Sequence, residues 1–227
     1  MNALTSGARI AWTRGQSAAS LVTLIVGLLL VAAAAELERR GSPVLAADRA
    51  LGGAAFGLVL PVSIYLLVAQ MHVGPAKDAH RALRQRGAHG RHVAIGTHLV
   101  CLAMGGLLGM LVALVAVVLG RGWSDPMVVV DALQSSVVGM WGGVAYVSLF
   151  SAGSCLSSRG WGRPAFLIGD WLLGSSTSVL AVPWPRAHVR NLLGFEPVLG
   201  MTQTQSMAAL LVACGVYVGF TLWRTPA

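Results

Sequence analysis

Asp170, in the tripeptide Gly169-Asp170-Trp171, lies inside an apolar run over residues 165–182. An ionisable side chain at membrane depth is a functional candidate by default. Counted at ~1.5 Å per residue, it sits only about 9 Å past Pro164, which puts it near an interface. Two readings stand: an interfacial aspartate held by hydrogen bonds, or a substrate or proton site. Asp131, at the start of the run 133–156, reads as an end cap. Neither aspartate has an obvious basic partner within the runs. His98, at the start of the run 97–119, is the one histidine near membrane depth. A haem would need axial histidines inside the runs, and His72, His80, His89, His92 and His188 all fall between them.

The chemistry these residues do not assemble is as informative. No GxxxxGK[ST] segment occurs and Lys77 is the only lysine, so the chain lacks the usual phosphate-cradling loop for ATP hydrolysis. HExxH and paired His/Cys spacings are missing, and no metal site is expected. Ser154 has no histidine to face it in the last apolar run, which argues against a membrane serine protease. Cys101, Cys155 and Cys214 lie in or at the ends of apolar runs without a CxxC and read as small packing residues. No nucleophile, base or metal constellation survives, so the chain is not expected to be an enzyme.

The elements that must position these residues are helices in a bilayer. Apolar runs lie at 20–36, 53–70, 97–119, 133–156, 165–182 and 206–223, each close to the ~20 residues that cross a ~30 Å hydrocarbon core. At 56% hydrophobic and 11% charged, the 227 residues leave no room for an ordinary soluble domain beside them. The expectation is a single all-α domain over 1–227 with six transmembrane helices. With the N-terminus inside, ten bases fall on the inner side: Arg9, Arg14, Lys77, Arg81, Arg84, Arg86, Arg91, Arg159, Arg163 and Arg224. Six fall outside: Arg39, Arg40, Arg49, Arg121, Arg186 and Arg190. That asymmetry places both termini in the cytoplasm of a cell (inner) membrane. Bases at span ends also account for the net charge of +8 through lipid contact, without a nucleic-acid partner. Trp12, Trp123, Trp161, Trp184 and Trp223 fall at expected membrane–water boundaries, with Trp141 mid-span and Trp171 just inside the fifth run.

Residues 3–17 suit an amphipathic helix in the interface, or a frayed tail. Arg9 and Arg14 ahead of a stretch ending in Ala32–Ala35 also leave a cleaved signal peptide open beside a retained first span. Pro61 removes one backbone hydrogen bond from the second span, tolerable if a neighbour satisfies the freed carbonyl. Gly105-x-x-x-Gly109 and Gly139-x-x-x-Gly143 allow close helix approach. Between the second and third runs, Pro75 could open and Gly87 close a short basic helix carrying Lys77, Asp78, His80, Arg81, Arg84 and Arg86. This is a topogenic loop or a docking element. Between the fifth and sixth runs, Pro183–Gln205 is half apolar and broken by prolines, with one or two helical turns expected at Ala187–Leu193. It reads as a re-entrant or interfacial hairpin on the outer side, or as a plain loop.

Taken together, the arrangement resembles the membrane subunits of type-2 ABC exporters, the class of drug, polysaccharide and haem-exporter permeases. The resemblance covers essentially the whole chain. It rests on the segment Leu4–Ser17, the six runs, the stretch Ala82-Leu83-Arg84-Gln85-Arg86-Gly87-Ala88 within 75–91, and Arg190-Asn191-Leu192-Leu193-Gly194 before the last run. It implies an N-terminal elbow helix and a coupling helix over Pro75–Arg91 that docks on a cytoplasmic ATP-binding subunit. It also implies short outer re-entrant helices around Arg186, His188, Arg190 and Asn191. ATP and magnesium would belong to that partner, and this chain would pair with a second copy or a second permease. A structural or assembly subunit without a transport path is the alternative.

Overall fold

Ser17 starts the first long helix: its hydroxyl accepts the Ser20 N–H at 3.3 Å, satisfying one of the amide groups a helix start leaves unpaired. A computed structural model describes residues 3–71, 89–156 and 161–225. Pro75, Lys77, Asp78, His80, Arg81, Arg84 and Arg86, the docking candidates, lie outside the described residues.

The described residues are mainly helical, with no strand among them. A short helix α1 (Ala3–Gly15) is followed by α2 (Ala18–Gly41), α3 (Pro43–Met71), α4 (Gly90–Arg121) and α5 (Val128–Leu156). Then come the short α6 (Gly162–Leu173) and α7 (Pro185–Leu192), and the final α8 (Gln203–Arg224). Thr202 and Gln205 form a reciprocal capping box at the start of α8, with Gln205 Oε1 accepting the Thr202 N–H at 2.9 Å. Five helices, α2, α3, α4, α5 and α8, are long and apolar enough to cross a bilayer, which is the make-up of a multi-pass membrane protein.

The fifth run departs from expectation. Residues 165–182 do not form one helix: α6 stops at Leu173, and only a 3-10 turn over Val179–Ala181 follows. The cause is the polar stretch Ser175-Ser176-Thr177-Ser178. Ser175 Oγ donates to the Trp171 carbonyl at 3.2 Å and Ser176 Oγ to the Leu173 carbonyl at 3.0 Å, so side chains take over acceptors of the terminal turn.

α4 and α5 form the centre of the bundle. A Cβ placed on Gly109 would collide with the Gly139 carbonyl oxygen, and one on Gly143 with the Gly105 carbonyl oxygen. The two small-residue pairs therefore face each other reciprocally, backbone against backbone. Phe56, Leu60 and Ile64 of α3, Leu108 and Val112 of α4, Leu149 and Phe150 of α5 and Leu210 of α8 fill the surrounding core. Leu21, Val22, Ile25, Val26, Leu29 and Leu30 of α2 remain exposed, the outward apolar face a hydrocarbon solvent calls for.

The N-terminal helix is held as firmly as the long ones. Gly7 abuts the Val93 carbonyl and Gly96 the Leu4 carbonyl, while the Thr97 hydroxyl donates to the Gly7 carbonyl at 3.3 Å. Arg14 donates to the Met71 carbonyl at 3.0 Å, tying α1 to the end of α3. α1 thus packs along the start of α4, whose 32 residues cover about 48 Å, well beyond a hydrocarbon core.

Candidate functional site

Gly153 of α5 and Gly162 of α6 touch backbone to backbone, Tyr146 of α5 bonds Asp170 of α6, and Gly142 of α5 contacts Val189 of α7. Read along α5, these contacts order α6 and then α7 antiparallel to it. The 12 residues of α6 and 8 of α7 cover about 18 and 12 Å at 1.5 Å per residue. The pair therefore lies in succession beside α5, interrupted at residues 174–184. Interrupted helices at membrane depth are tolerated only where protein or a polar cavity satisfies the backbone they free.

Asp170 sits at that break and is wholly buried. Its Oδ2 accepts the Tyr146 hydroxyl at 2.9 Å, and its Oδ1 accepts the backbone N–H of Arg186 at 3.1 Å. The second contact caps α7 from another helix: Pro185 occupies a first-turn position and needs no donor partner, and the next N–H meets the carboxylate. Tyr146 lies ten residues before Leu156, about 15 Å along α5. Gly169 has no Cβ because the Trp184 ring occupies that space, stacked edge-on against Phe166 at 5.9 Å. Trp184 therefore packs at the break, whereas Trp12, Trp123, Trp161 and Trp223 are exposed at helix ends.

The side chains of α7 hold it from every side. Arg186 Nη2 donates to the Gly57 carbonyl of α3 at 3.0 Å. Pro61 has no N–H to offer that carbonyl, four residues back, and residues Ala50–Val59 form a π-helical stretch just before it. An arginine from α7 thus serves a carbonyl one turn before the proline, at the end of a ladder in which the Leu60 N–H reaches five residues back to the Ala55 carbonyl. His188 Nε2 donates to the Val182 carbonyl at 2.7 Å, and its buried Nδ1 has no partner among the described residues. Arg190 donates to the Ser175 carbonyl at 3.0 Å, closing the loop back onto α6. Asn191 Nδ2 donates to the Met201 carbonyl at 2.8 Å and to Ser206 Oγ at 2.6 Å. Tyr217 of α8 donates to the Pro183 carbonyl at 2.7 Å. The helical turns expected at Ala187–Leu193 are present, buried among α3, α5 and α8.

Two cavities flank α7. One, of about 370 Å³, is lined by Glu38, Arg49, Gly52, Arg186, Arg190 and Phe195. The other, of about 270 Å³, is lined by Asp48, Arg121, Asp131, Gln134, Leu193 and Gln203. Asp131 stands in the first turn of α5, and its basic partner is Arg121 from the end of α4, at 2.5 Å. Arg121 also pairs with Asp125 at 3.0 Å. The Met127 N–H first, and then Arg121, hold the Asp125 carboxyl below its ordinary range.

The structure thus brings Asp170, Arg186, His188, Arg190 and Asn191 to one interrupted helix, with Asp131 across the neighbouring cavity. His98 belongs elsewhere: it is buried on α4 next to Thr97, at the α1 end. Tyr146 and Gly57 were missed by sequence reasoning. Pro61 signalled a carbonyl needing a donor, but nothing in the sequence identified the donor.

A scan against protein-family models and a search of curated proteins found no match to this chain.

Proposed function

We propose that this chain is the membrane subunit of an ATP-driven exporter, moving a hydrophobic or amphipathic substrate across the cytoplasmic membrane. The observation that carries the reading is the interrupted helix α6–α7, with a buried carboxylate at its break and polar cavities beside it. In secondary carriers, discontinuous helices of this kind form the substrate and ion sites. α6 and α7 together supply the sixth crossing, which puts both termini in the cytoplasm. α1, packed on the start of α4, acts as the interfacial elbow.

The chain carries no phosphate-cradling loop, so its energy comes from a separate ATP-binding subunit that holds ATP and magnesium. That subunit docks on the basic segment 75–91 and drives α3 and α4, the helices on either side of it. Arg186 links α3 to α7 at the Gly57 carbonyl, so motion of α3 reaches the outer half of the bundle. A second copy, or a second permease, completes the path.

Co-expression with a candidate ATP-binding subunit tests this reading. Association is expected to fall at least tenfold in the Arg81→Ala, Arg84→Ala, Arg86→Ala triple variant, with α1–α8 still folded. Undiminished association in that variant contradicts docking through the segment. Association that persists while ATP hydrolysis ignores every added amphiphile favours an assembly subunit instead.

A further inference from the structure

Arg186 and Arg190 stand one turn apart on α7, and both line the cavity of about 370 Å³ beside it. Like charges at that spacing repel along a helix, so a shared face of this kind calls for a counter-charge. Neither guanidinium forms an ion pair among the described residues. Arg186 gives Nη2 to the Gly57 carbonyl and Arg190 gives Nη1 to the Ser175 carbonyl, both neutral acceptors. A guanidinium carries five N–H groups, and the rest of these have no acceptor among the described residues. Of the acids at the cavity, Glu38 pairs with Arg49 at 3.6 Å, and Asp48 also lines the second cavity, where Arg121 stands. Asp170 meets Arg186 through the backbone N–H and does not line the cavity.

The cavity has an apolar continuation. Gly53, on its wall, is exposed, and a Cβ there would meet nothing within 4 Å. Hydrogen bonds in the π-helical stretch Ala50–Val59 join residues five apart, so Leu58 stands one turn from Gly53 on the same face. Leu58 opens an apolar groove between α2 and α3, lined also by Val26, Leu30, Val62 and Leu66. The same order holds along α2, with Glu38 at the cavity and then Leu30 and Val26 in the groove. A charged cavity therefore heads an apolar groove on the same two helices. Paired guanidiniums match the oxygens of a phosphate, and the groove takes hydrocarbon. The geometry points to an amphiphile bound here, its phosphate headgroup held by Arg186 and Arg190 and its acyl chain lying between α2 and α3. Free phosphate shares the headgroup chemistry but leaves the groove empty. The site belongs to this chain alone and does not rest on an ATP-binding partner.

Native mass spectrometry of the purified full-length protein in detergent, titrated with dioleoyl phosphatidic acid, tests it. Dioleoylglycerol, with the same chains and no phosphate, and inorganic phosphate, with no chains, are the comparisons. The phosphatidic acid is expected to bind at least tenfold more tightly than either. Arg190→Gln should weaken its binding at least tenfold and leave that of dioleoylglycerol unchanged. Gly53→Leu, which fills the open wall, should weaken it by a similar factor. Arg40→Gln, at an exposed arginine that pairs with Glu36 outside the cavity, should bind as the wild type does.

Equal binding of phosphatidic acid and dioleoylglycerol overturns the site, and so does inorganic phosphate bound as tightly as the lipid. A loss in Arg40→Gln as large as that in Arg190→Gln also overturns it, because diffuse attraction to a basic surface gives that result. Should Arg190→Gln fail to fold, Gly53→Leu decides by itself, since undiminished binding in that variant rejects the site. All of these measurements are made without an ATP-binding subunit, so their outcome is separate from that of the export reading.

Discussion

Gly143→Leu and Gly109→Leu should each yield little folded protein, whereas Gly215→Leu should be tolerated. All three glycines lie within long apolar helices, so helix propensity alone treats them alike. What separates them is the space around the missing Cβ. At Gly143 and Gly109 it is filled by the carbonyl groups of Gly105 and Gly139, while at Gly215 nothing lies within 4 Å. A flexible side chain could rotate away, but a backbone carbonyl moves only with its helix. Overpacking of this kind costs about 1–3 kcal/mol and more where nothing can yield. The milder Gly143→Ala should lower the melting temperature by on the order of 5 °C. Gly215→Ala should leave it unchanged or raise it, because alanine is the better helix former by about 1 kcal/mol. Thermal unfolding of the purified variants in detergent reads all of these. Equal tolerance at Gly143 and Gly215 would contradict the α4–α5 contact.

Arg186→Ala should destabilise the protein strongly, and Pro61→Ala should remove most of that cost. The arginine donates to the Gly57 carbonyl, which stands four residues before a proline that has no N–H. Leaving a buried carbonyl unpaired costs about 1–3 kcal/mol. With alanine at position 61 the backbone regains an N–H that can take the arginine's place. Pro61→Ala alone should then be close to neutral. A double-mutant cycle should show a coupling of about 1 kcal/mol or more between residues 125 positions apart in the chain. Additive effects would mean that Arg186 acts through some other contact.

Hydropathy located the five long helices because lipid demands ~20 apolar residues whatever their neighbours. The same averaging hid the break in the fifth run: Leu172, Leu173, Val179 and Leu180 outweigh the four hydroxyl residues between them. The run Ser175–Ser178 was the available signal, since adjacent hydroxyl side chains compete for helix carbonyls. α7 was legible from Pro185, which fixes a first helical turn. The partners of Asp170 were not. Tyr146 and Arg186 reach it only because three helices meet there, and no local pattern encodes that meeting. Pro61 is intermediate, since its freed carbonyl is written in the sequence and its donor is not. The basic docking segment remains a proposal from the sequence alone.

Two segments of the chain should face opposite sides of the membrane. Single cysteines in place of Arg84, in the basic segment, and Glu196, in the turn after α7, can be labelled with a membrane-impermeant maleimide in intact cells and again after permeabilisation. The interrupted crossing predicts that the cysteine at 196 labels in intact cells and the one at 84 only after permeabilisation. Labelling of both from the same side would mean that α6 and α7 do not span the bilayer, and the proposed path would lose its outer half.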